Sequence, residues 1–304
     1  MKVAITGASG LIGTALAAAL RSGGDQVVTL VRRAPASADE IAWDPLARAG
    51  GLDPAALAGV DAVVNLAGAG VADHRWTTSY KDEIRASRVR GTRALASHLA
   101  GMDAPPGVML SGSAVGWYGD TGGREVDESA PAGAGFLAGV VKEWEAAADA
   151  ARKAGIRVVT TRTGIVMSPR GGILARLLPV FRLGLGSRLG PGSQYMSWVS
   201  LTDWVRIAQF LISRPDISGP VNFTAPNPQT NAEFTAALAA AVHRPALLSV
   251  PSPVLSLALG EVTSDMLASA RVLPRRLAEA GYRFTHPTLP GALAAELQQS
   301  GSAA

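Results

Sequence analysis

Short apolar runs alternate with longer stretches of helical periodicity through the first half of the chain. The runs "KVAIT" (2–6), "QVVTLVR" (26–32), "DAVVNLAG" (61–68), "GVMLSGSA" (107–114) and "RVVTTRTGIV" (157–166) are rich in β-branched residues and lack polar alternation. That pattern predicts strands buried on both faces. Between them, "LIGTALAAALRSGG" predicts a helix ended by Gly23 and Gly24, and further helices are predicted near 77–100 and 138–154. Strands alternating with helices imply βαβ units, hence an α/β fold with a doubly wound parallel sheet of Rossmann type. Its ligand crevice would lie at the C-terminal strand ends.

The rhythm changes after residue 167. "GGILARLLPVFRLGLGSRLGPGSQYMSWVS" is glycine-rich and irregular, "PVNFTAP" (220–226) predicts one returning strand, and "NAEFTAALAAAV" predicts a helix capped by Asn231. The expected organisation is a nucleotide-binding domain over 1–166 and a substrate lobe over 167–300, with a small C-terminal domain from about 245.

Composition narrows the function classes. The chain has 304 residues, 48% of them apolar and only 17% charged, which suits a sizeable core and argues against wholesale disorder. It has no cysteine, which removes disulfides, thiolate catalysis and Cys-ligated metals. Its four histidines are scattered without ligand-like spacing, so no metal site is expected. The net charge is +4, but the basic residues are dispersed among acidic ones, and no nucleic-acid partner is expected. No apolar run reaches the roughly 20 residues of a membrane span. Met1 leads directly into a strand-like run with no signal-peptide pattern. A cytoplasmic monomer or homodimer acting on a small molecule, without a membrane partner, is the expectation.

The stretch "TGASGLIG" places Gly7, Gly10 and Gly13 between a strand and a helix. Gly7 would allow the tight turn, Gly10 the close approach of a diphosphate, and Gly13 close packing of helix on sheet. Ser9, Leu11 and Ile12 would present their backbone to the same phosphates at the helix N-terminus. An acidic residue at the end of the second strand would select NAD, but Arg32 and Arg33 stand there. Guanidinium groups suit a 2′-phosphate, so NADP(H) is expected over NAD. "VVNLAG" adds Asn65, Leu66, Ala67 and Gly68 at a strand end, where small residues would let a nucleotide lie close, and Thr163 with Gly164 in "RTGIV" would sit by the nicotinamide; either segment could instead be only a strand-terminating turn.

These motifs resemble those of the extended short-chain dehydrogenases/reductases, and more narrowly their atypical epimerase-like subfamily. The resemblance covers nearly all the chain and is carried by "TGASGLIG", "NLAGAGVADHRWTTSYK", "SRVRGT", "SGSAVGWYGD", "FLAGVVKEWEAAA", "RTGIVMSPRGG", "GPGSQYMSWVSLTDW" and "GPVNFTAPNPQTNAEF". It implies a nicotinamide cofactor, with Ser111 and Ser113 as candidates for the serine that contacts cofactor or polarises substrate oxygen. The family's Tyr-x-x-x-Lys pair falls on Leu137 and Val141, with Lys142 one position off, and its Asn position is occupied by Arg88. Tyr118, five residues after Ser113, is the substitute acid/base candidate; Asp120 and Glu128 are further possible bases, or merely cap and turn residues. Arg75, Trp76 and Lys81 could clamp an anionic substrate or form the start of a helix capped by Thr77. Gln194, Trp198 and Asp203 are candidates to line the substrate lobe, with Asp203 alternatively a helix cap or buttress. The resulting expectation is an NADP(H)-dependent oxidoreductase or epimerase of atypical mechanism acting on a small polar or sugar-nucleotide-like substrate. The alternative is a non-catalytic NADP(H)-binding sensor or regulatory protein.

Overall fold

Strands form where β-branched runs can be covered on both faces. The computed structural model describes residues 1–47, 51–53 and 55–301. The central-sheet strands are β1 (Lys2–Thr6), β2 (Gln26–Val31), β3 (Glu40–Ala42), β4 (Ala62–Asn65), β5 (Val108–Ala114), β6 (Arg157–Thr163) and β7 (Gly219–Phe223). They lie in the order β7-β6-β5-β4-β1-β2-β3. β1 pairs in parallel with both β2 and β4, with Thr6 opposite Leu30 on one side and Asn65 on the other. The sequence order therefore reverses beside β1, which makes the β1/β4 boundary the switch point of a doubly wound sheet.

The sheet's helices are α1 (Leu11–Ser22), α2 (Thr78–Ala100), α3 (Phe136–Ala146) and α4 (Asp149–Lys153). α1 ends where Gly23 and Gly24 donate back to the last carbonyls, Gly24 with φ +87°. α2 starts at Thr77, whose hydroxyl accepts from the Tyr80 amide. The sequence pattern suggested one helix over 138–154; the chain instead forms two, α3 and α4, on either side of residues 147–148.

Contacts divide the chain into two compact units, each of three segments. The first takes residues 1–113, 140–161 and 205–220; the second takes 114–139, 162–204 and 221–304. Residues 114–139 thus go with the second unit, and the strand at 219–223 returns to the sheet as expected for the segment near 220–226. The first unit's core packs Val63 and Met109 of the sheet against Leu95 and Leu99 of α2 and Ala151 of α4. Burying each such large aliphatic side chain contributes about 1.5–3 kcal/mol.

The second unit contains α5 (Gly172–Arg182), α6 beginning at Leu201, α7 (Asn231–Ala241), α8 (Ser252–Leu259), α9 (Val262–Met266), α10 (Arg275–Glu279) and α11 (Leu289–Gly301). Phe181, Trp198, Phe234, Leu238 and Leu293 form its core. "RVVTTRTGIV" is not one strand, as the pattern suggested. It breaks at Gly164, whose amide bonds to the Phe223 carbonyl and where a Cβ would lie 2.6 Å from the Ser197 carbonyl oxygen. Residues 165–167 then pair with 198–200 instead. The cap of α7 is also one residue earlier than expected. Thr230 accepts from the Glu233 amide, and the Glu233 carboxylate accepts from the Thr230 amide, a reciprocal capping box. Asn231 is the first helical residue, and its Oδ1 accepts from the Leu189 amide at 2.8 Å.

Thr230→Ala removes one half of this box and strands the other. It is expected to destabilise the protein by about 1 kcal/mol, read as a lower urea midpoint at unchanged m-value. An unchanged midpoint would show that the box is not holding the helix start.

Candidate functional site

At the β1–α1 turn, backbone approaches backbone with no room for side chains. Gly7 has φ +68°, and a Cβ there would lie 2.9 Å from the Leu66 carbonyl carbon. A Cβ on Gly13 would lie 2.3 Å from the Gly7 carbonyl oxygen. Gly10 is the N-cap of α1 and offers no side-chain cap, and the first turn has no acidic residue. The amides of Leu11, Ile12 and Gly13 therefore lack intrahelical partners, while Ser9 and Gly10 are exposed beside them. An uncapped, glycine-lined helix start of this kind fits a diphosphate, which would bring the charge that the helix dipole favours.

A buried polar chain fixes the neighbouring turn. Thr6 Oγ1 accepts from the Leu66 and Ala67 amides at 3.0 and 3.1 Å and donates to Asn65 Oδ1 at 2.7 Å. Asn65 Nδ2 donates to Thr92 Oγ1 at 2.8 Å, which also accepts from the Trp144 indole at 2.9 Å. The sequence reading missed Thr6, Thr92 and Trp144. Gly112 held the trace of Trp144, since a Cβ there would lie 2.5 Å from the indole ring. Gly68, next along the turn, is exposed and has the Arg88 guanidinium carbon 3.3 Å from its would-be Cβ.

The two arginines after β2 differ. Arg33 holds the Glu40 carboxylate through Nη1 at 2.7 Å and Nη2 at 2.5 Å, with its side chain largely in solvent. Arg32 is exposed and has no ion-pair partner among the described residues. It is the guanidinium with donors to spare for a 2′-phosphate.

At the end of β5, Ser113 is 4% exposed and its hydroxyl donates to Glu145 Oε1 at 2.6 Å. Ser111 is fully buried, and its hydroxyl has no hydrogen-bond partner among the described residues. On α3, Val141 is buried and Lys142 is exposed. Glu145 is thus a carboxylate at the serine, a partner that the sequence motifs did not single out. Trp76 is buried with its indole donating to the Val71 carbonyl, while Arg75 is exposed and Lys81 half-buried.

In the second unit Tyr118 is 3% exposed. Its hydroxyl donates to Asn222 Oδ1 at 2.8 Å and accepts from Arg162 Nη1 at 3.0 Å. Arg162 also stacks over the Trp117 ring at 4.0 Å. Burial pushes the Tyr118 phenol up to about 12, against a smaller lowering by Arg162. Glu128 accepts from the Asn222 and Arg276 amides, and burial raises its pKa. Thr163 Oγ1 accepts from the Trp204 indole. Trp198 lies in the lobe core with its indole on the Asn227 carbonyl, and Gln194 Nε2 is turned onto the Leu189 carbonyl. Asp203 is a buried buttress that accepts from the Thr285 and His286 amides. Asp120 Oδ1 closes the 120–122 turn. Among the described residues no helix is long and apolar enough to cross a membrane.

Comparison with known proteins gives a consistent picture. Residues 3–223 match the family model described as "NAD dependent epimerase/dehydratase family", and residues 250–296 match a domain of unknown function, DUF1731. An epimerase family protein of Mycobacterium bovis is 49% identical over 96% of this chain and 96% of its own length. The epimerase family protein SDR39U1 of Bos taurus is 36% identical over 96% of this chain and 98% of its own. The crystal structure of human SDR39U1 (isoform 2) with NADPH superposes with a TM-score of 0.89 at 32% identity, covering 98% of this chain and 99% of that one.

The Tyr118 environment makes a spectroscopic prediction. The ionisation difference between wild type and Tyr118→Phe should have its midpoint near 12 rather than 10. Because the folded pKa is raised, Tyr118's contribution to stability is intact below about 10 and lost as pH rises through the folded value. An ultraviolet difference titration with a midpoint at the ordinary phenol value would contradict the burial of this hydroxyl.

Proposed function

The chain belongs to the NAD dependent epimerase/dehydratase family, and from that premise we propose that it binds NADP(H) along the strand ends of its first unit. On this reading it acts as an oxidoreductase or epimerase of atypical mechanism on a small polar, sugar-nucleotide-like substrate. The observation that carries it is the uncapped start of α1 behind Gly7, Gly10 and Gly13, where backbone lies close to backbone and the first amides lack intrahelical partners. The NADPH in the human relative's structure supports the choice of cofactor, as does Arg32, whose guanidinium has no carboxylate partner among the described residues.

Bound cofactor would supply a hydride acceptor or donor at the nicotinamide ring. The protein's part is to bind, orient and move a proton. The α1 amides take the diphosphate, and Arg32 takes the 2′-phosphate, with Arg33 kept in place by Glu40. Leu66, Ala67 and Gly68 present a low turn along the nucleotide, held by the Thr6 hydroxyl. Ser113 orients the substrate oxygen, and Glu145, as acceptor of the Ser113 proton, fixes the direction of that hydroxyl. Tyr118 or a bound water moves the proton; as a phenol of raised pKa, Tyr118 is a donor at neutral pH and must exchange its bond to Asn222 to act. Arg75 and Lys81 are the cations we assign to an anionic substrate.

A second reading, a non-catalytic NADP(H)-binding sensor, is favoured by one observation. The position of the family's lysine holds Val141, buried at 3% exposure, so no cation stands there to activate a phenol.

Two measurements test these assignments. The wild type should bind NADPH well ahead of NADH, and Arg32→Ser should lower that preference by about tenfold. Equal affinity for both cofactors removes the assignment of Arg32. In a screen of carbonyl and sugar-nucleotide substrates, Ser113→Ala should lower turnover by about 100-fold or more, and Tyr118→Phe likewise if the phenol moves the proton. Cofactor binding without turnover on any of these substrates would leave the sensor reading in possession.

A further inference from the structure

Arg88 is a cation with no anion beside it among the described residues. Its side chain is half-buried on α2, and burial lowers its pKa, with only the Tyr80 hydroxyl raising it. One donor, Nη1, reaches the Ile84 carbonyl at 3.1 Å. The guanidinium carbon lies 5.1 Å from the centroid of the Trp144 ring. No carboxylate pairs with it among the described residues. Taking a guanidinium out of water without a counter-charge is unfavourable, and such groups are ordinarily paired or coordinate a ligand. A stacked indole compensates only in part.

Its position says which ligand would complete it. Arg88 packs on Gly68, in the turn that leaves β4. That turn lies directly against the glycine turn of β1, since the would-be Cβ of Gly7 meets the Leu66 and Ala67 backbone at 2.9 to 3.0 Å. A dinucleotide at a doubly wound switch point spans it, with adenine toward β2 and nicotinamide beyond β4. Arg88 is therefore on the nicotinamide side of the uncapped start of α1. Asn, the residue the epimerase resemblance implies here, could offer two donors but no charge.

We propose that Arg88 is a cofactor-binding residue that takes the nicotinamide-side phosphate of the diphosphate through its free donors. The inference rests on the reading that the first unit binds NADP(H). Trp144 holds the planar guanidinium in place from one side. Trp144 is in turn fixed by its bond to Thr92, so the strand-end turn and the cation are positioned by the same buried chain.

The test uses the full chain, three variants and two ligands. Arg88→Met removes the charge and keeps an apolar stem over the indole; Arg88→Lys keeps the charge and loses the fork. NADPH carries both phosphates of the diphosphate, and 2′,5′-ADP carries only the adenine-side one. Arg88→Met should weaken NADPH about tenfold or more and leave 2′,5′-ADP within about twofold, with Arg88→Lys intermediate. Arg32→Ser should weaken both ligands, which distinguishes the two cations. The unliganded Arg88→Met protein should melt at the wild-type temperature or above it, because an uncompensated charge has been removed. If wild type and Arg88→Met bind NADPH equally, the inference about Arg88 falls while the cofactor reading stands. Equal loss of both ligands, or a clearly lower melting temperature without ligand, would make Arg88 a structural residue and overturn the inference. If the wild type fails to bind NADPH, both fall together.

Discussion

The first unit depends on two backbone turns that touch. The turn after β1 and the turn after β4 meet through Gly7, and the Thr6 hydroxyl bonds the amides of both Leu66 and Ala67. The Leu66 amide also reaches the Thr6 carbonyl at 3.3 Å, whereas the Ala67 amide depends on this hydroxyl, and leaving it unpaired would cost about 1–3 kcal/mol. One threonine thus satisfies a second turn as well as filling its own place in β1. From there the chain of bonds runs through Asn65 and Thr92 to Trp144, and the last of these carries Arg88 on its face. The geometry of the crevice wall is set inside the core.

The architecture was legible because its cause is local. β-Branched runs of strand length, separated by helical stretches and glycine punctuation, have few other solutions. What the sequence could not show was how a side chain spends its donors. "LVRR" reads as a pair of equivalent cations, yet one is held by Glu40, a residue on the next strand. Asn231 precedes an alanine-rich helix and looks like its cap, but Thr230 with Glu233 has the reciprocal spacing and takes that place. Trp198 reads as a substrate-facing aromatic, while its burial depends on partners drawn from α5, α7 and α11. Only the last difference arises from residues far apart in the chain; the other two are local choices between neighbouring donors and acceptors, which the motif alone did not decide.

Arg162 and Arg88 illustrate opposite ways of accommodating charge. Arg162, 2% exposed, is enclosed by Trp117 and by the Tyr118 hydroxyl, within a network that includes Asn222 and Glu128. That arrangement is internally satisfied and rigid, as fully connected polar networks are. Among the described residues Arg88 has one carbonyl and one indole, and most of its donors remain. A protein keeps an incomplete site of this kind at some expense of stability when completion comes from outside.

The interleaving of the two units has a consequence for how the molecule is made. The first unit is not complete until residues 205–220 have joined it, and the second begins at residue 114. No single cut of the chain releases either unit whole, so fragments ending near residue 166 would expose raw sheet. During synthesis, β6 must wait for residues 219–223 before its outer neighbour β7 arrives. Assembly is thereby late and collective, and a ribosome that stalls midway leaves a sticky, unfinished edge for chaperones to shield.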